Sequence, residues 1–118
     1  MGNKSEYFYS SIIAIMPLVK LSNQATQDLG RFSDFLIQVG VPKKVEEVIT
    51  AILDAFEVLE SYQLFGKPYP MEGYADFHEL TIPCGKSGYV ALYSFDKKRD
   101  LVVIYAIRHQ KEVGYTLK

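Results

Sequence analysis

The spacing of apolar positions changes along the chain and predicts a strand followed by a helix. Residues 17–22, PLVKLS, alternate apolar and polar side chains, which is typical of a β-strand. Ser22 is then a suitable helix N-cap, and the following apolar residues recur at steps of four and three. These residues are Ala25, Leu29, Phe32, Leu36 and Val39, with Phe35 beside them. Gly40 is expected to end the helix.

A second apolar stripe follows the short Val41-Pro42 connection and predicts a helix from about Pro42 to Tyr62. Its members are Val45, Val48, Ile49, Ile52, Leu53, Phe56 and Leu59. The acidic residues of this segment lie largely off the stripe. Because the link between the helices is so short, we expect an antiparallel helix pair that covers an apolar surface.

The C-terminal half of the chain predicts strands. Residues 63–75 contain two Pro and two Gly and are expected to form a loop. Three predicted strands follow, at about 76–84, 88–95 and 100–109. The GKSG segment between the first two strands suits a hairpin turn. The third strand is apolar on both faces, so it should be central and covered.

The predicted element order is therefore β-α-α-β-β-β. It indicates an α+β protein with a twisted, mainly antiparallel sheet and a helix hairpin packed on one face. Residues 17–118 are expected to form a single domain, and residues 1–16 an N-terminal extension. The apolar run SIIAIM in that extension is too short to cross a membrane, so no membrane association is expected.

Composition narrows the class of protein. The chain has 118 residues, of which 48% are hydrophobic and 23% charged, as in ordinary globular domains. The single Cys84 excludes an internal disulfide and fits a reducing, cytoplasmic environment. A net charge of −1 gives no overall nucleic-acid signature. Residues 76–118, however, hold seven Lys and Arg against five Asp and Glu, so an anionic partner would bind there.

Arg108 and His109 close the predicted central strand. Adjacent strand residues point to opposite faces, so only one of the two can face a given ligand. A period of two groups Arg108 with Val102, Ile104 and Ala106, and His109 with Val103, Tyr105 and Ile107. The structural alternatives are an arginine paired with an acid and a hydrogen-bonded histidine.

Several further residues are candidates for chemistry. Lys86 lies in the GKSG turn, which lacks the spacing of a P-loop. Lys111 and Tyr115 follow in a polar tail, and His78 lies on the first of the three predicted strands. The structural alternatives are solvated lysines, a packed tyrosine and a half-buried histidine. The alternating aromatic residues Tyr89, Tyr93 and Phe95 are expected in the core.

This inventory suits RNA cleavage without a metal. We find no carboxylate pair, metal-ligand spacing or Ser/His/Asp order, so no cofactor or metal is expected. Cations stabilise the charge that builds on a transferring phosphate, and His, Lys or Tyr can move protons. The 2′-OH of an RNA is itself the nucleophile, so no protein nucleophile is required.

Three segments carry a resemblance to a known family. LSNQATQDLGRFSDFL, IPCGKSGYVALYSFD and LVVIYAIRHQKEVGY resemble the RelE/ParE family of toxins from bacterial type II toxin–antitoxin (plasmid stabilisation) systems. The resemblance covers about residues 17–115, and it implies the β-α-α-β-β-β fold and a cognate antitoxin as partner. Relatives often have an arginine where this chain has His78, and the extension 1–16 is atypical.

The resemblance implies two alternative activities. RelE-like members cleave mRNA on the ribosome, whereas ParE-like members inhibit DNA gyrase and lack the RNase residues. Carried over, Arg108 and Tyr115 match the basic residue and the late aromatic residue of the family. With His109 they form the expected catalytic set, and the expected RNA-binding residues are Lys86, Lys111 and His78. We therefore expect an mRNA-cleaving endoribonuclease; the alternatives are a gyrase inhibitor and a degenerate toxin that retains only antitoxin binding.

Overall fold

A computed structural model of the chain describes residues 18–71 and 76–115. The predicted extension, residues 1–16, lies outside the described residues. The elements are β1 (Val19–Leu21), α1 (Asn23–Gln38), α2 (Lys44–Ser61), β2 (Lys67–Pro68), β3 (Phe77–Cys84), β4 (Ser87–Asp96) and β5 (Leu101–His109). Neither described helix has both the length and the apolar composition that a bilayer crossing requires.

The described part of the chain forms a sheet of five strands in the order β1-β5-β4-β3-β2. β1 pairs with β5 in parallel and the other pairs are antiparallel, which confirms the predicted α+β class. β5 lies inside the sheet, as its apolar sequence predicts. The sequence predicts only a loop at 63–75, but Lys67 and Pro68 pair with Glu79 and His78 as an edge strand. A proline is tolerated in such an edge position because it need not donate to the ladder.

The first helix begins as predicted and ends slightly early. Ser22 Oγ accepts the Ala25 N–H at 3.1 Å, which is the predicted N-cap. Gly40 has a φ of +84°, a left-handed conformation that favours glycine and turns the chain away from the helix. The prediction that Val39 lies on the buried stripe is wrong: its side chain is 53% exposed, because the helix has already ended at Gln38.

The two helices cover one face of the sheet. The core between the helices and the sheet contains residues from α1, α2 and the strands. Its fully buried members include Leu29, Ile52, Phe56, Tyr93 and Ile104. Tyr89 also lies in this core, and Phe95 packs against it. The helix stripes and the alternating aromatic residues of β4 therefore contact one another as predicted.

A bulge in β5 changes which residues face the helices. Leu92 of β4 pairs with Ala106 and Tyr93 pairs with Ile104, so Tyr105 is the extra residue on β5. Tyr105 turns to the face opposite the helices, where its ring meets Phe77 at 5.1 Å. Because a bulge inserts one residue, it reverses the facing of all positions beyond it.

The predicted grouping of the strand-end residues is therefore wrong in part. Val102 and Ile104 pack in the core under the helices, and so does Ile107. Arg108 pairs with Val90 and shares the other face with Ala106, while His109 pairs with Tyr89 on the helix-covered face. Simple alternation from the start of β5 cannot give this result, because it assumes an unbroken ladder.

Candidate functional site

Arg108 is enclosed by groups of its own chain. Its side chain is only 18% exposed, and its guanidinium Nη2 lies 3.8 Å from Glu79 Oε2 of β3. Nη1 donates to the carbonyl oxygen of Glu112 at 2.6 Å, and the guanidinium carbon lies 5.0 Å from the centre of the Tyr115 ring. The positive charge of Arg108 is thus stabilised by Glu79 of the sheet and by two residues of the C-terminal segment, Glu112 and Tyr115.

Tyr115 is fixed beside this cation as a hydrogen-bond donor. Its hydroxyl donates to Glu79 Oε2 at 2.5 Å, and its ring meets Tyr69 edge to face at 5.6 Å. Burial, and then the hydrogen bond to Glu79 and the negative charge of that residue, raise the pKa of the Tyr115 phenol well above its usual value. The phenol is therefore protonated at neutral pH and cannot serve as a base.

His109 lies on the other side of the strand and is held by two hydrogen bonds. The Lys111 backbone N–H donates to His109 Nδ1 at 3.1 Å, and Nε2 lies 3.0 Å from Ser87 Oγ. Because Nδ1 accepts, the neutral ring carries its hydrogen on Nε2 and donates it to Ser87. A base that activates Ser87 would need Nε2 free of hydrogen, so the two residues do not form a nucleophile–base pair.

Of the remaining predicted residues, two lysines lie at the end of the sheet where His109 is found, and His78 lies at the other end. Lys86 is exposed in the two-residue turn between β3 and β4, where Gly85 has a φ of +62°, as in type II′ hairpins. Lys111 is exposed just after β5. His78 lies near the opposite end of β3 on the helix-covered face, with its ring 5.6 Å from that of Tyr93. The structure therefore brings Arg108 and Tyr115 together, but not His78.

Asp28 is a buried acid that the sequence analysis does not single out. It is 4% exposed, and its Oδ2 accepts the backbone N–H of Ile107 at 2.8 Å. Its Oδ1 accepts from Gln24 Nε2 at 3.0 Å and from Arg31 at 3.3 Å. β1 pairs with β5 only as far as Ile104. Beyond that point Asp28 accepts the hydrogen bond of the backbone N–H of Ile107, in place of a neighbouring strand. Its only sequence signal is an acid next to the buried stripe of α1.

Glu112 fastens the C-terminal turn to α1. Its Oε2 accepts from Arg31 Nη1 at 2.9 Å, and its Oε1 accepts the His109 N–H at 2.8 Å. Burial pushes the pKa of Glu112 upward, but the His109 N–H and the Arg31 guanidinium outweigh it, and the pKa lies below its ordinary value. Glu112 is thus held ionised at neutral pH.

These residues line a groove of about 470 Å³ between α1 and the C-terminal turn, which we call the Arg108 groove. Its lining consists of Gln24, Gln27, Asp28, Arg31, Ile107, Arg108, Glu112, Gly114 and Tyr115. Two arginines and two carboxylates face it, so their charges balance. A volume of this size is within the usual range of ligand sites.

Residues 19–114 match the family model described as "ParE toxin of type II toxin-antitoxin system, parDE". The chain belongs to the ParE toxin family. This membership confirms the resemblance that the sequence segments carry. In this ParE-family toxin, Arg108 and the acid that pairs with it, Glu79, both lie within the matched region.

Comparison with solved structures gives a further similarity. The ParE-family chain is similar to a chain in the crystal structure of the toxin–antitoxin complex RelBE2 from Mycobacterium tuberculosis, with 23% sequence identity and a TM-score of 0.48. The match covers 78% of this chain and 95% of the other. A search of curated proteins finds no match.

Proposed function

We propose that this ParE-family toxin acts by binding and inhibiting DNA gyrase, without cleaving RNA. The observation that carries the proposal is the separation of the expected catalytic residues. Arg108 faces one side of β5 and His109 the other, and Tyr115 is a protonated donor to Glu79. Family membership supports the same choice, because ParE-like toxins are expected to inhibit gyrase.

The charges around Arg108 also disfavour a scissile phosphate. A phosphate that approached Arg108 would come close to the carboxylate of Glu79, which already pairs with the guanidinium. Like charges at short range repel, and acid–base catalysis needs its groups within hydrogen-bond reach of the reacting atoms. With His109 directed elsewhere and Tyr115 protonated, no described group of the predicted set can serve as the base beside Arg108.

Ribosome-dependent mRNA cleavage is the second candidate function. The observation that favours it is the position of two lysines. Lys86 and Lys111 are exposed at the end of the sheet where His109 lies, and exposed lysines there could attract an RNA backbone. Under this alternative, Arg108 would leave Glu79 when it binds a phosphate.

Two assays run in parallel distinguish these functions. The purified chain is added to gyrase supercoiling reactions and, separately, to ribosomes carrying mRNA that is analysed by primer extension. We expect inhibited supercoiling and no new mRNA ends. New mRNA ends that vanish in Arg108→Ala but persist in Arg99→Ala would contradict the proposal. Arg99 is a matched control, since its side chain is 78% exposed in the turn after β4.

A cognate antitoxin is the second proposed partner, and it covers apolar side chains of the helix pair. Phe35 and Ile37, near the end of α1, are 60% and 54% exposed, and Tyr62, which follows α2, is 67% exposed. Tyr62 lies at the opposite end of the helix pair from Phe35 and Ile37, so a partner that covers all three must run along the length of the pair. Hydrogen exchange with and without the antitoxin tests this assignment. Protection that leaves both α1 and α2 unchanged would contradict it.

A further inference from the structure

Two residues that line the Arg108 groove each carry a buried polar atom that lacks a partner in residues 18–71 and 76–115. One is an acceptor, Gln24 Oε1, and the other is a donor, Arg108 Nε. The orientation of the Gln24 amide follows from its neighbour, because its Nε2 donates to Asp28 Oδ1 at 3.0 Å. Reversing the amide would place two oxygens together, so Oε1 is fixed as the free acceptor.

Two such atoms in one groove indicate that something else satisfies them. Buried polar atoms without a partner are rare in native proteins, and each calls for an explanation such as a ligand or an ordered water. Here both Gln24 and Arg108 line the same groove, so an incoming ligand that offers a donor and an acceptor could satisfy the pair. A peptide backbone offers both, with an N–H for Gln24 and a carbonyl for Arg108.

The charge of the groove points to an uncharged ligand. Arg31 is paired with Asp28 and Glu112, and Arg108 with Glu79, so no charge is left to select an ion. The phosphates of a nucleotide would instead meet the carboxylates of Asp28 and Glu112. Ile107 and the ring of Tyr115 add apolar surface to the lining. We infer that the Arg108 groove binds a short, uncharged stretch of extended polypeptide from a partner protein through its backbone amides.

Entry of this peptide requires a small movement of the lining. Both unpaired atoms are covered by neighbouring atoms in the free protein. The Arg31–Glu112 ion pair also lines the groove, and its two side chains are 47% and 40% exposed. Exposed ion pairs contribute little to stability, so the Arg31 side chain can turn away from Glu112 at low cost, while Glu112 keeps its bond to the His109 N–H.

The test is a titration of the full chain, labelled with ¹⁵N, with acetyl-trialanine-methylamide as the probe. We expect shifts in the side-chain amide of Gln24 and in the Nε–H of Arg108. Gln27 is an exposed residue of the groove, so Gln27→Trp should block it without disturbing the core. We expect Gln27→Trp to weaken binding roughly fivefold or more, because a blocked groove loses at least one of the peptide's hydrogen bonds to Gln24 and Arg108. Gln38→Trp, on an exposed position of the same helix outside the groove, should bind normally.

Three results would overturn the inference. The first is the absence of any shift at the highest probe concentration, as expected if ordered water alone satisfies the two atoms. The second is a shift that persists unchanged in Gln27→Trp. The third is binding of uridine monophosphate in place of the capped peptide. The titration contains neither gyrase nor ribosomes, so its result is independent of the proposed function.

Discussion

Replacing Asp28 by alanine should destabilise the fold more than any change at an exposed acid of the same helix. Asp28 lies on α1, yet its main partner is the backbone of β5, through the Ile107 N–H. Within residues 18–71 and 76–115 no other strand pairs with this edge of β5, because β1 stops pairing at Ile104. Alanine cannot accept a hydrogen bond, so the substitution leaves a buried N–H without a partner.

The magnitude follows from the three contacts that the carboxylate makes. An unsatisfied buried N–H costs about 1–3 kcal/mol, and the bond to Gln24 contributes about 1 kcal/mol. The ion pair with Arg31 adds less than about 1 kcal/mol, because the Arg31 side chain is 47% exposed. We therefore expect Asp28→Ala to lower the free energy of unfolding by about 3 kcal/mol, a large share of the stability of a typical domain. Asp28→Asn should cost about 1 kcal/mol, since its amide oxygen can still accept from Ile107.

Urea unfolding followed by circular dichroism measures this difference. Asp34→Ala is the matched control, because Asp34 is an exposed residue of the same helix, and it should change stability by less than about 0.5 kcal/mol. Amide hydrogen exchange gives a local measurement, in which the Ile107 amide should lose protection in Asp28→Ala. If Asp28→Ala and Asp34→Ala unfolded at the same urea concentration, the assigned role of Asp28 would be wrong.

Three further changes test other parts of the structure. Gly66→Ala should destabilise the protein by about 1–3 kcal/mol in thermal unfolding, because the new Cβ would lie 2.7 Å from the Glu79 carbonyl oxygen; normal stability would contradict the close approach. Ser22→Ala should cost about 1–3 kcal/mol, because its Oγ both caps α1 and donates to the Tyr105 carbonyl, whereas Ser61→Ala, at the exposed end of α2, should not; equal effects would argue against both contacts. The lowered pKa of Glu112 predicts a contribution to stability that is present above its ordinary pKa of 4.5 and lost as pH falls through the lower folded value. Urea unfolding between pH 3 and 7 should therefore show a weaker acid dependence in Glu112→Gln, and an unchanged profile would contradict this role.

The helices and the core strands could be predicted because their signals are local. A helix stripe needs only the spacing of residues within one segment, and the Ser22 cap needs only the next three residues. β2 has no such signal, since a two-residue strand with a proline shows no alternation and forms only because β3 offers an edge. Two residues are enough to pair but too few to form a pattern.

The acids that surround Arg108 could not be predicted for a related reason. Glu79 is 29 positions before Arg108 in the chain, and their proximity depends on the register of β3 on β4 and of β4 on β5. The sequence predicts an arginine paired with an acid as one alternative, but no local pattern identifies the acid. The same applies to Asp28, whose partner is a backbone N–H and leaves no trace in the side-chain pattern.

The bulge at Tyr105 determines which face of the sheet each residue at the end of β5 occupies. Ser22 makes two hydrogen bonds at the bulge. Its N–H donates to the Ile104 carbonyl at 2.9 Å, and its Oγ donates to the Tyr105 carbonyl at 2.8 Å. These contacts join residues more than 80 positions apart, so no local pattern reports them. Because one inserted residue reverses the facing of everything beyond it, the junction of β1 and α1 sets which side of the sheet receives Arg108. It places the guanidinium over Glu79 and Tyr115 and turns His109 toward Tyr89 and Ser87. A catalytic site that needed Arg108 against the helix-covered face would require an unbroken β5, and the Ser22 contacts oppose that arrangement.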